Sequence, residues 1–151
     1  MKKTPGFDKL RKKLSGIKPS ILDKHFHALH EEVFAEIDCL DCAACCKTIS
    51  PAMRDVDLVR MAKPLKMKPS EILETYMRKD EEGDYVFKSS PCPFLGKDNA
   101  CSIYEYRPKA CREYPHTNRP QMHQILELTF RNSAVCPAVK EILKRIDSAE
   151  I

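Results

Sequence analysis

Four cysteines, Cys39, Cys42, Cys45 and Cys46, stand within the eight residues CLDCAACC, and Cys92, Cys101, Cys111 and Cys136 follow later in the chain. No other feature constrains the fold as much. A lone cysteine is often a small buried hydrophobe, but four in one short stretch imply a common task. In an oxidising compartment eight cysteines would read as a disulfide framework. Where thiols stay reduced they read as metal ligands or redox groups. The opening MKK is not followed by the apolar run of a signal peptide, and no stretch reaches the length of a membrane span. The expectation is therefore a cytoplasmic protein with reduced thiols.

Two residues between cysteines allow two thiolates to turn onto one metal from a tight loop. Here the step occurs twice in succession, from Cys39 to Cys42 to Cys45. Zinc sites usually use well-separated pairs. A triple completed by a distant Cys-Pro is nearer to ferredoxin-type ligation of an iron–sulfur cluster, with a four-iron cluster the leading expectation and Zn2+ the other. Cys92-Pro93 and Cys136-Pro137 both offer such a distant partner. The spacing is not that of radical enzymes that use S-adenosylmethionine. Adjacent Cys45 and Cys46 are expected to diverge, one toward the loop's own site and the other toward a second group. The eight thiols divide into two sets of four, or four form one site and the others are structural or redox-active. Spacing does not choose between these.

Four thiolates around Zn2+ or an oxidised four-iron cluster leave about two negative charges to be compensated. Lys47 follows the cysteine stretch, and Lys109 and Arg112 flank Cys111. Cys136 stands where a helix N-terminus would favour a thiolate. His116 is a candidate for a further ligand. Asp38 and Asp41 are hard donors and suit capping or turn roles better than ligation. Tyr104, Tyr106 and Tyr114 are expected to pack around the site.

Elsewhere the pattern is that of a small, irregular, mainly α protein with a short β-hairpin, its helices packed around a cysteine-rich metal centre. Residues 1–19 read as a basic, partly solvated arm, and residues 20–151 as one cysteine-cluster domain. Residues 20–37 carry Leu22, Phe26, Leu29, Val33 and Ile37 at helical spacing, with Ser20 and Asp23 as a capping pair. His25 and His27 fall off that stripe and His30 stands beside Leu29 near its edge, and all three are expected to face solvent. Helices are predicted over 54–63, ending before Pro64, and over 69–77. A hairpin with its turn near Glu82, Gly83 and Asp84 follows, then a GKDN turn, and a short helix with Cys111 between Pro108 and Pro115. Residues 119–135 suit a strand or a helix. The tail forms a helix with Cys136 as cap and Pro137 as its first residue. The net charge of +4 does not argue for nucleic acid, and the N-terminal basic stretch lacks interleaved aromatics. A protein partner, of unspecified kind, is compatible with that stretch.

Taken together, CLDCAACC, DVDLVRMAKPL, CPFLGKDNACSIYEYRPKACREYP and CPAV closely resemble the YkgJ-type cysteine-cluster proteins, described as zinc- or iron-chelating domains and sometimes as iron–sulfur proteins. The resemblance spans residues 36–145, with Ala44 where glycine often precedes the paired cysteines. It implies metal ligation by Cys39, Cys42, Cys45, Cys46, Cys92, Cys101, Cys111 and Cys136, and structural or site-lining roles for Arg107 and Arg112. A flagellin lysine methylase shares the pattern, so methylation of a protein side chain enters by analogy alone. Three functions follow in order: an iron–sulfur protein with a redox or metal-handling role, a zinc-stabilised interaction module, and a protein-modifying enzyme.

Overall fold

The computed structural model describes residues 2–48 and 51–151. Met1, the first residue of the predicted arm, and Ile49 and Ser50 lie outside that description. In chain order the elements are α1 (Asp8–Ser15), α2 (Pro19–Glu36), α3 (Cys39–Cys42), α4 (Ala44–Thr48), α5 (Asp55–Leu65), α6 (Pro69–Tyr76), β1 (Met77–Lys79), β2 (Tyr85–Phe87), α7 (Lys109–Glu113), α8 (Leu126–Asn132) and α9 (Pro137–Ser148). Short 3-10 turns cover Tyr104–Tyr106 and Met122–Ile125. The protein is mainly α with one short antiparallel hairpin, as its sequence predicts. Its backbone forms two compact units, Met1–Asp38 with Pro115–Ile151, and Cys39–Tyr114.

In the first unit the apolar stripe of α2 buries Leu22, Phe26 and Val33 completely, with Leu29 and Ile37 packed at the margin. Val139, Ile142 and Ile146 of α9 recur at the same helical spacing and are equally buried. The ambiguous segment is helical, since Met122, Leu126 and Phe130, four residues apart, all point into this core. The N-terminal stretch is more than a solvated arm. Leu10 and Leu14 of α1 enter the core, and Phe7 stacks on Phe130 with ring centroids 4.7 Å apart. Eight residues make a marginal helix in water, so packing is what holds α1. Replacing Phe130 by alanine is expected to cost about 3–5 kcal/mol, read as a lowered urea midpoint.

The predicted capping pair does not form. Pro19 opens α2 without a side-chain cap, and Asp23 instead accepts the amides of Gln121 and Met122, each at 2.8 Å. Gln121 is left-handed (φ 60°), and its amide and the next one both reach this one carboxylate. His27 Nε2 lies 2.7 Å from the Arg119 carbonyl, and His30 Nδ1 2.7 Å from the hydroxyl of fully buried Thr117. These two histidines therefore fasten residues 117–119 to α2 rather than face solvent. Burial pushes the His30 pKa below its ordinary value, partly opposed by Glu31. The unfolded chain thus binds the proton more readily than the folded one. The contribution of His30 is complete above about pH 6.5 and is lost as pH falls through the lower, folded pKa. A plot of melting temperature against pH should decline over that window, and the decline should be shallower in His30→Gln.

The second unit is built on α5, α6 and the hairpin. Leu58 and Met61 of α5, Ile72 of α6, Met77, Phe87, Phe94 and Ile103 share its core. The Phe94 ring meets Tyr76 at 5.0 Å and Phe87 at 5.7 Å. In the hairpin Met77 pairs with Phe87 and Lys79 with Tyr85, and Gly83 takes the left-handed turn position (φ 84°). Pro64 does not stop α5 but sits inside its last turn, and the helix closes at left-handed Lys66. In a final turn proline forfeits one intrahelical bond, a small loss where the ladder is ending anyway.

Candidate metal centre

The cysteine stretch folds as two short helical turns, α3 with Cys39 and Cys42 and α4 with Cys45 and Cys46. Buried Ala43, left-handed at φ 48°, lies between them. Its amide closes on the Cys39 carbonyl at 2.8 Å. This reversal brings α4 against the segment that carries Cys92, whose amide donates to the Cys46 carbonyl at 2.7 Å. Cys92 and Cys101 pack on the edge of the second core, and Leu95 and Cys101 form an isolated antiparallel bridge around the GKDN turn. Cys111 comes from α7.

Cys45, Cys46, Cys92 and Cys111 line one half-open cavity of about 50 Å³, together with Pro51, Ala110 and Tyr114. Adjacent Cys45 and Cys46 thus face the same space rather than diverge. Their sulfurs meet in a hydrogen bond at the cavity. The Cys45 thiol donates to the Cys46 sulfur, which raises the Cys45 pKa far above the ordinary thiol value, with burial adding to it. The same bond lowers Cys46, against burial and the charges of Cys92, Cys111 and Cys101. Burial raises Cys92, although the amides of Phe94 and Leu95 point at its sulfur and oppose the shift. Burial, reinforced by Cys92, Cys101 and Cys45, pushes Cys111 up to about 12, with Arg107 pulling the other way.

Charge on Cys92, Cys101 and Cys45 bears on Cys111, and charge on Cys92, Cys111 and Cys101 bears on Cys46, so a cation among them would relieve the repulsion. Sulfur donors suit zinc or iron, so the residues present fit such a group. Among the described residues, no three potential ligands already converge on a single ion. Cys42 is half-buried and Cys39 exposed, both on α3. Cys136 belongs to the first unit, where it precedes α9 and packs against that unit's core. His116, left-handed at φ 67°, belongs to the first unit as well.

The compensating charges differ in part from those the sequence suggests. Arg107 acts on Cys111 and lies over the Tyr104 ring at 3.9 Å. Arg112 and Lys47 are exposed, and Lys109 pairs with Glu113 at 3.7 Å. Of the three tyrosines, Tyr114 lines the cavity, Tyr106 packs on the second core and Tyr104 is largely exposed.

Sequence reasoning missed Asp57. It is the third residue of α5, 1% exposed, and accepts the Arg54 amide at 2.9 Å, the Arg54 guanidinium at 2.9 and 3.1 Å, and the Lys109 amide at 3.1 Å. Burial raises its pKa, but Arg54 and the two amides outweigh it, and the carboxyl sits below its ordinary range. The available signal was an acidic residue at the third helical position, the back half of a capping box.

A model of the family described as "CxxCxxCC: Putative zinc- or iron-chelating domain" matches residues 38–137. No curated protein and no solved structure matches the chain. Among the described residues no helix is long and apolar enough to cross a membrane.

Proposed function

The chain belongs to this CxxCxxCC family of zinc- or iron-chelating domains, and from that premise we propose that its second unit carries an iron–sulfur centre of the four-iron type with a redox or metal-handling role. The observation that carries the reading is the cavity. Its volume of about 50 Å³ compares with about 10–15 Å³ for one water-sized body, which leaves room for a group of several atoms. Cys45, Cys46, Cys92 and Cys111 line it and are the first four candidates for ligands. Cys101 stands beside them, and Cys39 and Cys42 are close in sequence.

Such a centre, when bound, supplies one-electron redox chemistry. The chain's own part is to hold and tune it. The Phe94 and Leu95 amides and the Arg107 guanidinium stabilise negative sulfur, and hydrogen bonds and charge near the sulfurs set a cluster's potential. Pro51, Ala110 and Tyr114 complete the lining. A cytoplasmic, reducing setting goes with this role, because the thiols must stay reduced to serve as ligands.

The test is metal and acid-labile sulfide content, with the visible spectrum, on protein purified without oxygen. Iron with sulfide and absorption at about 400 nm is the expected result. Stoichiometric zinc in a colourless protein overturns the cluster and leaves a zinc-stabilised interaction module.

A further inference from the structure

We propose that Asp57 is the positioning residue for Cys111: its buried carboxylate receives the Lys109 amide and so aims the short helix that brings the Cys111 thiol to the cavity. The metal-binding consequence rests on the reading above; the placement of the thiol does not. Helix α7 has five residues, too few to hold its own direction. At its start the Cys111 and Arg112 amides close on the Pro108 carbonyl at 3.0 and 3.1 Å, and at its end the Tyr114 amide closes on the Ala110 carbonyl at 3.1 Å. Its orientation has to come from outside, and α5 supplies it. Asp57 Oδ1 takes the Lys109 amide at 3.1 Å. One turn on, Arg60 donates to the Arg107 carbonyl at 3.0 Å. The two contacts grip the backbone on either side of buried Pro108, which has no N–H of its own.

The carboxylate suits this task. Arg54 neutralises it and holds it with three further hydrogen bonds, so it cannot swing away. A negative group at a helix start also meets the favourable end of the backbone dipoles. Asp57 touches no sulfur in this arrangement; it acts on the site through the backbone of α7.

Alkylation of the metal-free, reduced protein, followed residue by residue by mass spectrometry, reads the position of each thiol without any metal. In Asp57→Asn, Cys111 is expected to react at least about tenfold faster, the scale of losing a hydrogen bond to a charged acceptor. Cys92, held by its own loop, should change little. Lys109→Pro removes the amide donor, together with the exposed Lys109 side chain, at a helix start, where proline is compatible, and should reproduce the effect. Lys109→Ala keeps the amide and should behave as the wild type. Should Asp57→Asn fail to fold, the two Lys109 variants decide. Affinity for Co2+, read from its thiolate charge-transfer bands, is expected to fall about 10–100-fold in Asp57→Asn and Lys109→Pro. Unchanged Cys111 labelling, or an equal rise at Cys92, Cys101 and Cys111, overturns the assignment. A wild type that binds neither cobalt nor iron defeats the metal reading and leaves the labelling result to decide the role of Asp57.

Discussion

Cys46→Ser, purified without oxygen, is expected to retain on the order of a tenth or less of the wild-type metal, with the visible absorption lost in proportion. Changes outside the ligand shell already cost about 10–100-fold in affinity, and removal of a ligand must cost more. Cys46 is the most telling position. It is the cysteine whose pKa is drawn down by its neighbour's hydrogen bond, and it lines the cavity beside Cys45, Cys92 and Cys111. Its backbone carbonyl also holds Cys92, at 2.7 Å, a bond that serine preserves. The variant therefore removes a donor without loosening the loop. Metal analysis beside circular dichroism separates the two effects: lost metal with retained helix content supports ligation, and full metal content sinks it.

Removing the metal is expected to loosen the second unit severely. The described core of that unit is modest, with Met53, Leu58, Met61, Ile72, Met77, Phe87, Phe94 and Ile103 at its centre. The cavity gathers thiols from α4, the Cys92 loop and α7, so a bound centre cross-links segments far apart in sequence. Metal binding at such sites is folding free energy. A net contribution of only about 2–3 kcal/mol would shift the melting temperature by about 10 °C or more in a domain this size. Hydrogen exchange followed by mass spectrometry reads the effect locally. Amides of residues 85–111 should exchange much faster after chelation, and identical exchange with and without metal would show that the unit stands without it.

The sequence foretold several elements because their signals are local. Pro69 and Pro137 each open a helix, since a residue with no N–H and a preset φ costs nothing at a first turn. Gly83 marks the hairpin turn because its φ of 84° is easy for glycine alone. The stripe of α2 lies in the core as its spacing requires. Other expectations failed where the deciding partner is distant. Asp23 looked like a cap for its own helix but bonds amides some hundred residues on. His27 and His30 looked solvent-facing for the same reason.

At the site the division is equally physical. By itself the sequence determined the candidate donors: eight cysteines, seven of them within Cys39–Tyr114, in a chain that matches the CxxCxxCC family over residues 38–137. Identity and short spacing are properties of neighbouring residues, and they survive without a fold. Only the tertiary structure decided that Cys45 and Cys46 share one cavity with Cys92 and Cys111, and that a buried carboxylate on α5 receives the first amide of the helix that carries the last of these. Those facts depend on which distant backbone amides and sulfurs meet, and packing, rather than any local preference of the chain, brings them together.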